Sequence, residues 1–286
     1  MERDIRENKD SRQLYSIGQV SKLCNISQKT LRYYDKIGLI KPDKVDDSNN
    51  YRYYSRETLL FVPVIKYYKQ MGFKLEEMQE LLGSSSYSRH IRKFNEKIAE
   101  IQQQMSELRV ASRSIRDWRD LILEAQTVLE NKVTEVSVRY LDNLSGCYME
   151  QDFNGNYPET IINIDWTNYL EQIDISITGS VMIYCSDFRS KMLRKNIRIK
   201  VFQEVATASE DYPAFSVGGT MIASCYHIGN YGTINDTYKK IMNWAEMNGY
   251  ECSEFSVERF VTDFWTTKNI DEFITEVIVG IKRKEV

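Results

Sequence analysis

Between Ile91 and Leu108 the large apolar residues are Ile91, Phe94, Ile98, Ile101, Met105 and Leu108, so that the steps alternate between three and four. That rhythm is a heptad seam. A helix carrying it would leave a row of large side chains in water unless a second helix covered them. The stripe therefore predicts a long helix that pairs with a partner and separates two folded parts of the chain. Ile115 and Ile122 extend it, but Ser112 and Arg119 also fall on seam positions, so the register weakens there and Ala111 or Trp118 can take over. The other reading of the stripe is an amphipathic helix packed on its own domain.

The two sides of this helix differ in charge. Residues 11–75 carry 12 Lys and Arg against 5 Asp and Glu, whereas residues 136–286 carry 14 against 21. The basic block points to a polyanionic partner, and the acidic block argues against nucleic acid at that end. No apolar run approaches the roughly 18 residues that span a bilayer, so no membrane partner is expected. The start, MERDIRENKDSR, lacks the apolar core of a signal peptide and reads as a frayed or helical lead-in. Five scattered cysteines without a C-x-x-C suggest neither disulfides nor a zinc knuckle, which makes the cytoplasm the expected compartment.

Within the basic block, Ser16 is a plausible N-cap for a helix with Ile17, Val20 and Leu23 on one face. Asn25 and Ile26 make a turn, Ser27 caps a second helix, and Gly38 ends it. Two short helices joined by a tight turn form a helix-turn-helix signal. The second carries Lys29, Thr30, Arg32 and Tyr33 away from its apolar residues Leu31, Tyr34 and Ile37. Residues near the start of such a helix reach base edges, while Arg and Lys also pair with phosphates. Polar turn formers from Asp46 to Asn50 separate Val45 from Tyr51, Tyr53 and Tyr54, which predicts a hairpin wing with Arg52 near the DNA backbone or minor groove. A helix capped by Ser55 should run to Met71, with Lys66 and Lys69 as phosphate clamps, and a shorter one from Leu75 to Leu82. The polar stretch 84–88 is a hinge before the long helix.

Beyond residue 134 the texture changes to short β-prone runs: Val136 to Tyr140, Gly146 to Met149, Val181 to Tyr184, Ile197 to Phe202, Met221 to His227, Ser256 to Thr262 and Glu276 to Ile281. Helical stretches near Pro158 to Gln172 and Thr233 to Asn248 interrupt them. The order is a tandem β-α-β-β repeat, an α+β domain with its helices on one face of an antiparallel sheet.

The segments YSIGQVSKLCNISQKTLRYYDKIGLIKP, YRYYS and IKYYKQMGFKLEEMQELL resemble the winged-helix DNA-binding domain of the MerR family from Tyr15 to Leu82. The resemblance implies a homodimer joined by an antiparallel coiled coil, bound to double-stranded promoter DNA with an over-long spacer. It further implies that the effector-bound dimer distorts the promoter so that RNA polymerase can use it. By position, Thr30, Arg32, Tyr33 and Tyr34 match the recognition helix, Arg52 and Tyr53 the wing, and Lys66 and Lys69 the backbone contacts. Ser16, Gln19 and Lys29 complete the expected DNA-facing set. Pro63 departs from the pattern, because an interior proline kinks a helix at a cost of roughly 3 kcal/mol. The metal-sensing branch uses cysteines beside the coiled coil, and none stands between Cys24 and Cys147.

The segments YHIGNYGTINDTYKKIMNWAEMNGYE and SVERFVTDF resemble the GyrI-like effector domain of the multidrug-responsive, BmrR-like branch. There, a central acidic residue in an aromatic cleft receives lipophilic cations. Glu258 matches it, sharing a strand face with Phe260. Tyr148, Tyr184, Tyr226 and Trp244 are candidate walls, and Glu276 is a second carboxylate. A buried carboxylate favours a cation that restores its solvation, and aromatic faces add cation–π attraction. The fold class expected is α+β multidomain: a winged helix-turn-helix over 1–83, a linker and coiled-coil dimerisation helix over 84–131, and a tandem β-α-β-β domain over 132–286. The function expected is an effector-responsive transcription regulator of the activating kind whose effector is a lipophilic, cationic small molecule, with no catalytic residues, metal or cofactor. The competing reading is a GyrI-like domain that hydrolyses or sequesters a toxic compound.

Overall fold

Ser16 and Ser27 accept hydrogen bonds from the third residue of the helix each begins, satisfying amides that have no partner inside the helix. They open α1 (Ile17–Leu23) and α2 (Gln28–Lys36). In this computed structural model, which describes residues 13–161, 163–193, 195–206 and 212–285, the chain divides into two compact units, Met1–Met105 and Ser106–Val286. The expected lead-in at residues 1–12 lies outside the described residues.

In the first unit, Gly38 follows α2 with φ +78°, a left-handed conformation that favours glycine. The wing consists of β2 (Lys44–Val45) and β3 (Arg52–Ser55), and β1 (Leu14–Ser16) pairs with β3 on its other side. That third strand was not foreseen. The helix expected from Ser55 to Met71 is two helices, α3 (Arg56–Leu59) and α4 (Phe61–Gln70). Pro63 explains the break: its ring would collide with the carbonyl four residues back, which belongs to Leu59, the last residue of α3. Placed in the first turn of α4, the proline needs no N–H partner, and the residues after it continue as a helix. α5 (Leu75–Leu82) follows, and Leu31, Tyr54, Ile65, Met78 and Leu81 form the centre of the core.

α6 (Tyr87–Asn131) is one continuous helix of 45 residues. Its first turns are tied to α5 by Lys93–Glu80 at 3.2 Å and Lys97–Glu77 at 3.3 Å. Phe94 turns inward onto Tyr68 and Phe73. Ile91, Ile98, Ile101, Met105, Leu108 and Ile115 are exposed.

In the second unit the described strands form one antiparallel sheet. They are β4 (Ser137–Leu141), β5 (Leu144–Phe153), β6 (Ile177–Cys185), β7 (Ile197–Val205), β8 (Ala214–Val217), β9 (Thr220–Ile228), β10 (Tyr250–Thr262) and β11 (Ile274–Arg283). Their spatial order is β4-β9-β11-β10-β6-β7-β5-β8. The helices are α7 (Tyr157–Ile161), α8 (Ile164–Gln172), α9 (Phe188–Met192) and α10 (Ile234–Met247). β5-α8-β6-β7 and β9-α10-β10-β11 are the two expected β-α-β-β halves, and they meet where β10 pairs with β6. Successive residues of β10 point to opposite faces. Glu258 faces α10, through Tyr238, and Arg259 faces the end of α6, through Glu124. On that second face Leu121, Ala125 and Val128 of α6 pack on Val261 and Ile274.

Candidate functional site

The buried residues of α2 are Leu31 and Tyr34, which fasten it to the core. Their spacing leaves Lys29, Arg32 and Tyr33 exposed on the far side, and Thr30 partly so. The wing is held to this helix by Arg52, whose Nε donates to Asp35 Oδ2 at 2.7 Å. A helix presenting two cations and a tyrosine, with a strand locked beside it, has the shape and charge that fit a DNA groove and its phosphates.

In the second unit a cavity of about 600 Å³ opens where the two halves meet. Its wall includes Phe153, Tyr157, Lys191, Tyr231, Tyr238 and Phe273. Behind this wall lies Glu258, which is fully buried. Its Oε1 accepts from the Tyr238 hydroxyl at 2.7 Å and the Tyr157 hydroxyl at 3.1 Å. Burial, reinforced by the Glu258 charge, pushes both phenols far above their ordinary range, so they remain neutral donors. Lys191 Nζ stands 2.5 Å from the same oxygen. Beyond that ion pair, Nζ has no hydrogen-bond partner among the described residues. The ammonium also lies 5.0 Å from the Phe153 ring centre and 5.1 Å from that of Tyr157. Glu258 Oε2 and the Tyr231 hydroxyl, both buried, likewise have no hydrogen-bond partner among the described residues. Burial raises the Tyr231 phenol too, with Asp263 and Glu258 adding to the shift.

Family models place both halves of the chain. The model described as the MerR HTH family regulatory protein matches residues 15–85, and that for MerR, DNA binding, matches 62–118. The GyrI-like small molecule binding domain matches residues 146–282. Among curated proteins, the HTH-type transcriptional regulator CueR of Salmonella typhi is 31% identical over 46% of this chain and 93% of its own length. The chain belongs to the MerR family. Over nearly its full length it is also similar to the multidrug-efflux transporter 2 regulator of Bacillus subtilis (strain 168), at 23% identity over 96% of this chain and 99% of the relative. The multidrug-efflux transporter 1 regulator of the same organism is 54% identical over 23% of this chain and 24% of its own length. This MerR-family chain is thus a DNA-binding transcription regulator with a GyrI-like ligand-binding domain.

The DNA-facing expectations for this MerR-family chain fall into groups. Lys29, Arg32, Tyr33 and Lys69 are exposed, while Tyr53 is half-buried. Tyr34 is a correction: at 6% exposure it belongs to the core, because it shares the face of Leu31. Ser16 and Gln19 form a capping box, the Ser16 amide donating to Gln19 Oε1 at 2.8 Å. Lys66 Nζ donates to the Cys24 carbonyl at 2.6 Å and so ties α4 to the end of α1.

The effector expectations need more revision. Glu258 and Phe260 lie together beneath the cavity, with Phe260 packed on Tyr157 and Tyr231. The other five stand elsewhere. Tyr148 and Tyr184 pack on Phe215. The Tyr226 hydroxyl donates to Glu124 at 2.7 Å, which places it on the α6 side of the sheet. Trp244 stacks on Tyr250. Glu276 accepts from Arg139 at 3.1 Å and Arg259 at 2.9 Å. The cation was expected because Glu258 looked uncompensated; Lys191 supplies that positive charge from within. Sequence reasoning missed Lys191, Tyr157, Tyr231 and Tyr238. Two of the tyrosines had a signal, since Tyr231 and Tyr238 lie inside the segment that resembles the GyrI-like domain. Lys191 had none, because it lies on a short helix and its partner on a strand far along the chain.

Proposed function

We propose that this regulator binds operator DNA as a homodimer, with α2 in the major groove and the β2–β3 wing beside it. Residues 1–83 form the DNA-binding part, 84–131 the dimerisation segment and 132–286 the effector-binding part. The heptad residues left in water on α6 support the dimer, since a second copy is the partner such a seam fits. The GyrI-like part holds an apolar small molecule in the cavity above Glu258, whose volume of about 600 Å³ suits a drug-sized compound. Effector binding biases the dimer toward a form that distorts the promoter for RNA polymerase, and work on chromosomal DNA places the protein in the cytoplasm.

The observation that carries the DNA half is the exposed Lys29–Arg32–Tyr33 face of α2. Neutralising phosphates releases counterions, so affinity for an operator fragment should fall steeply with salt. Arg32→Ala should abolish specific binding, with a loss of roughly 1–3 kcal/mol for each base contact removed, whereas Lys69→Ala should weaken all sequences evenly. Titrations of the full chain on specific and scrambled fragments at two salt concentrations check this. A flat salt response, or an Arg32→Ala protein that keeps its sequence preference, would contradict the assignment.

A further inference from the structure

The cavity already contains a cation, and that cation is part of the chain. Lys191 sits beside the Glu258 carboxylate and against the Phe153 and Tyr157 rings, the arrangement by which a carboxylate in an aromatic cage would hold an ammonium ligand. Its side chain is only 4% exposed. α9 sets this position: Asp187 caps the helix, which follows directly on β6, and Phe188 packs on Tyr238 with ring centres 5.3 Å apart. The lysine is therefore carried on a helix whose own aromatic residue is fixed in the core.

Resting on the reading of this cavity as the effector site, we propose that Lys191 sets its charge preference, so that the effector is an apolar compound bearing an anionic or strongly hydrogen-bond-accepting oxygen, rather than a lipophilic cation. Three observations carry this. Lys191 and Lys195 are the charged residues in the described wall, and no carboxylate is among them. Of the acids behind the wall, Glu258 engages Lys191, Tyr157 and Tyr238 through Oε1, leaving only Oε2 without a partner among the described residues, and Asp263 Oδ1 accepts from the Trp265 amide at 3.1 Å. Lys191 Nζ, beyond its ion pair with Glu258, and the Tyr231 hydroxyl are buried donors without a hydrogen-bond partner among the described residues. A buried ammonium can donate three hydrogen bonds. An oxygen acceptor entering the cavity would take up the donor capacity that Lys191 keeps beyond its ion pair and that of the Tyr231 hydroxyl, and charge-assisted bonds of this kind are the strong ones. A cationic ligand would have to displace a tethered ammonium already in the subsite and then share the cavity with it and with Lys195. Phe153, Phe264 and Phe273 supply the apolar contact that any of these compounds would share.

The test uses the full chain and three probes of one shape: 2-naphthoate, 2-naphthamide and 2-naphthylmethylammonium, titrated calorimetrically. In the wild type the carboxylate should bind most tightly and the ammonium most weakly, about tenfold or more apart. Lys191→Met keeps the apolar stem and uncovers the Glu258 charge, so the order should invert. That variant leaves a carboxylate buried without its partner and can lose stability for that reason alone. Lys191→Met combined with Glu258→Gln removes both charges, and the three probes should then agree within about threefold. An ammonium that binds best to the wild type, or an unchanged order in both variants, overturns the assignment while leaving the cavity as a binding site. Silence from all three probes in the wild type and both variants overturns the cavity reading and this inference together.

Discussion

Two buried carboxyls on the sheet meet opposite surroundings. Burial alone would push Glu276 up, but the guanidinium groups of Arg259 and Arg139 outweigh it and hold the carboxyl below its ordinary range. Asp263, just past the end of β10, has only a backbone amide for a partner among the described residues, and burial pushes it up to about 6. A carboxyl raised in the folded state binds its proton more tightly there than in the unfolded chain. Stability from this group is therefore present at low pH, falls as pH rises from the ordinary value of 3.8 through about 6, and is level above that. The ionised group at neutral pH costs on the order of 3 kcal/mol. Asp263→Asn keeps an oxygen for the Trp265 amide and removes the charge. The variant should melt higher than the wild type at pH 7.5, and the gap should shrink through pH 6 and vanish near pH 4. A gap that is the same at both ends of that range would mean that ionisation is not its origin.

At the scale of the element, α6 changes the face it uses. Up to Leu108 its apolar stripe, Phe94 excepted, is exposed, and from Leu121 onward it packs on the sheet through Leu121, Ala125 and Val128. The weakened heptad at Ser112 and Arg119 precedes that change of partner. Charge placed on the two stretches should therefore act differently. Ile98→Asp or Leu108→Asp should give folded monomers, because an unpaired charge in a paired seam costs several kcal/mol only in the dimer. Leu121→Asp should instead lower the melting temperature, at a loss of roughly 2–5 kcal/mol, because that residue is buried within the chain. Sedimentation and thermal melts on the same three proteins separate the two effects. A wild type that sediments as a monomer at micromolar concentration would remove the basis for the first.

For the whole molecule, a ligand shifts a regulator only if it binds two states with different affinity. One peptide bond, Glu258–Arg259, joins the two faces of the sheet: Glu258 lies behind the cavity wall, and Arg259 reaches Glu124 of α6 through both terminal nitrogens. Tyr226 binds the same carboxylate, and Glu276 joins through Arg259. Glu124→Gln keeps the side-chain shape and takes the charge from that junction. Effector affinity should change by less than about threefold, while effector-dependent transcription from the operator promoter should fall by about fivefold or more, the range of a typical coupling energy. Equal losses in affinity and transcription would place the effect at the ligand site instead.

Local signals were legible in the sequence wherever neighbours along the chain decide the outcome. Capping serines set the start of α1 and α2, Gly38 sets the end of α2, and the three-four rhythm sets α6, because each depends on residues within a turn or two. The order of elements in the second unit was also legible, since strands and helices differ in period. Contacts between distant segments were not. Tyr34 was matched to DNA by the resemblance although its helical spacing already put it on the apolar face with Leu31, and Tyr226 and Trp244 looked like cavity walls until the fold turned them elsewhere. The charge of the cavity was decided last and only in three dimensions. Glu258 on β10 meets Lys191 on α9 because the two halves pair through β10 and β6. No spacing in the sequence encodes that pair, and the electrostatics of a buried site depend on which charges the fold brings within a few ångströms.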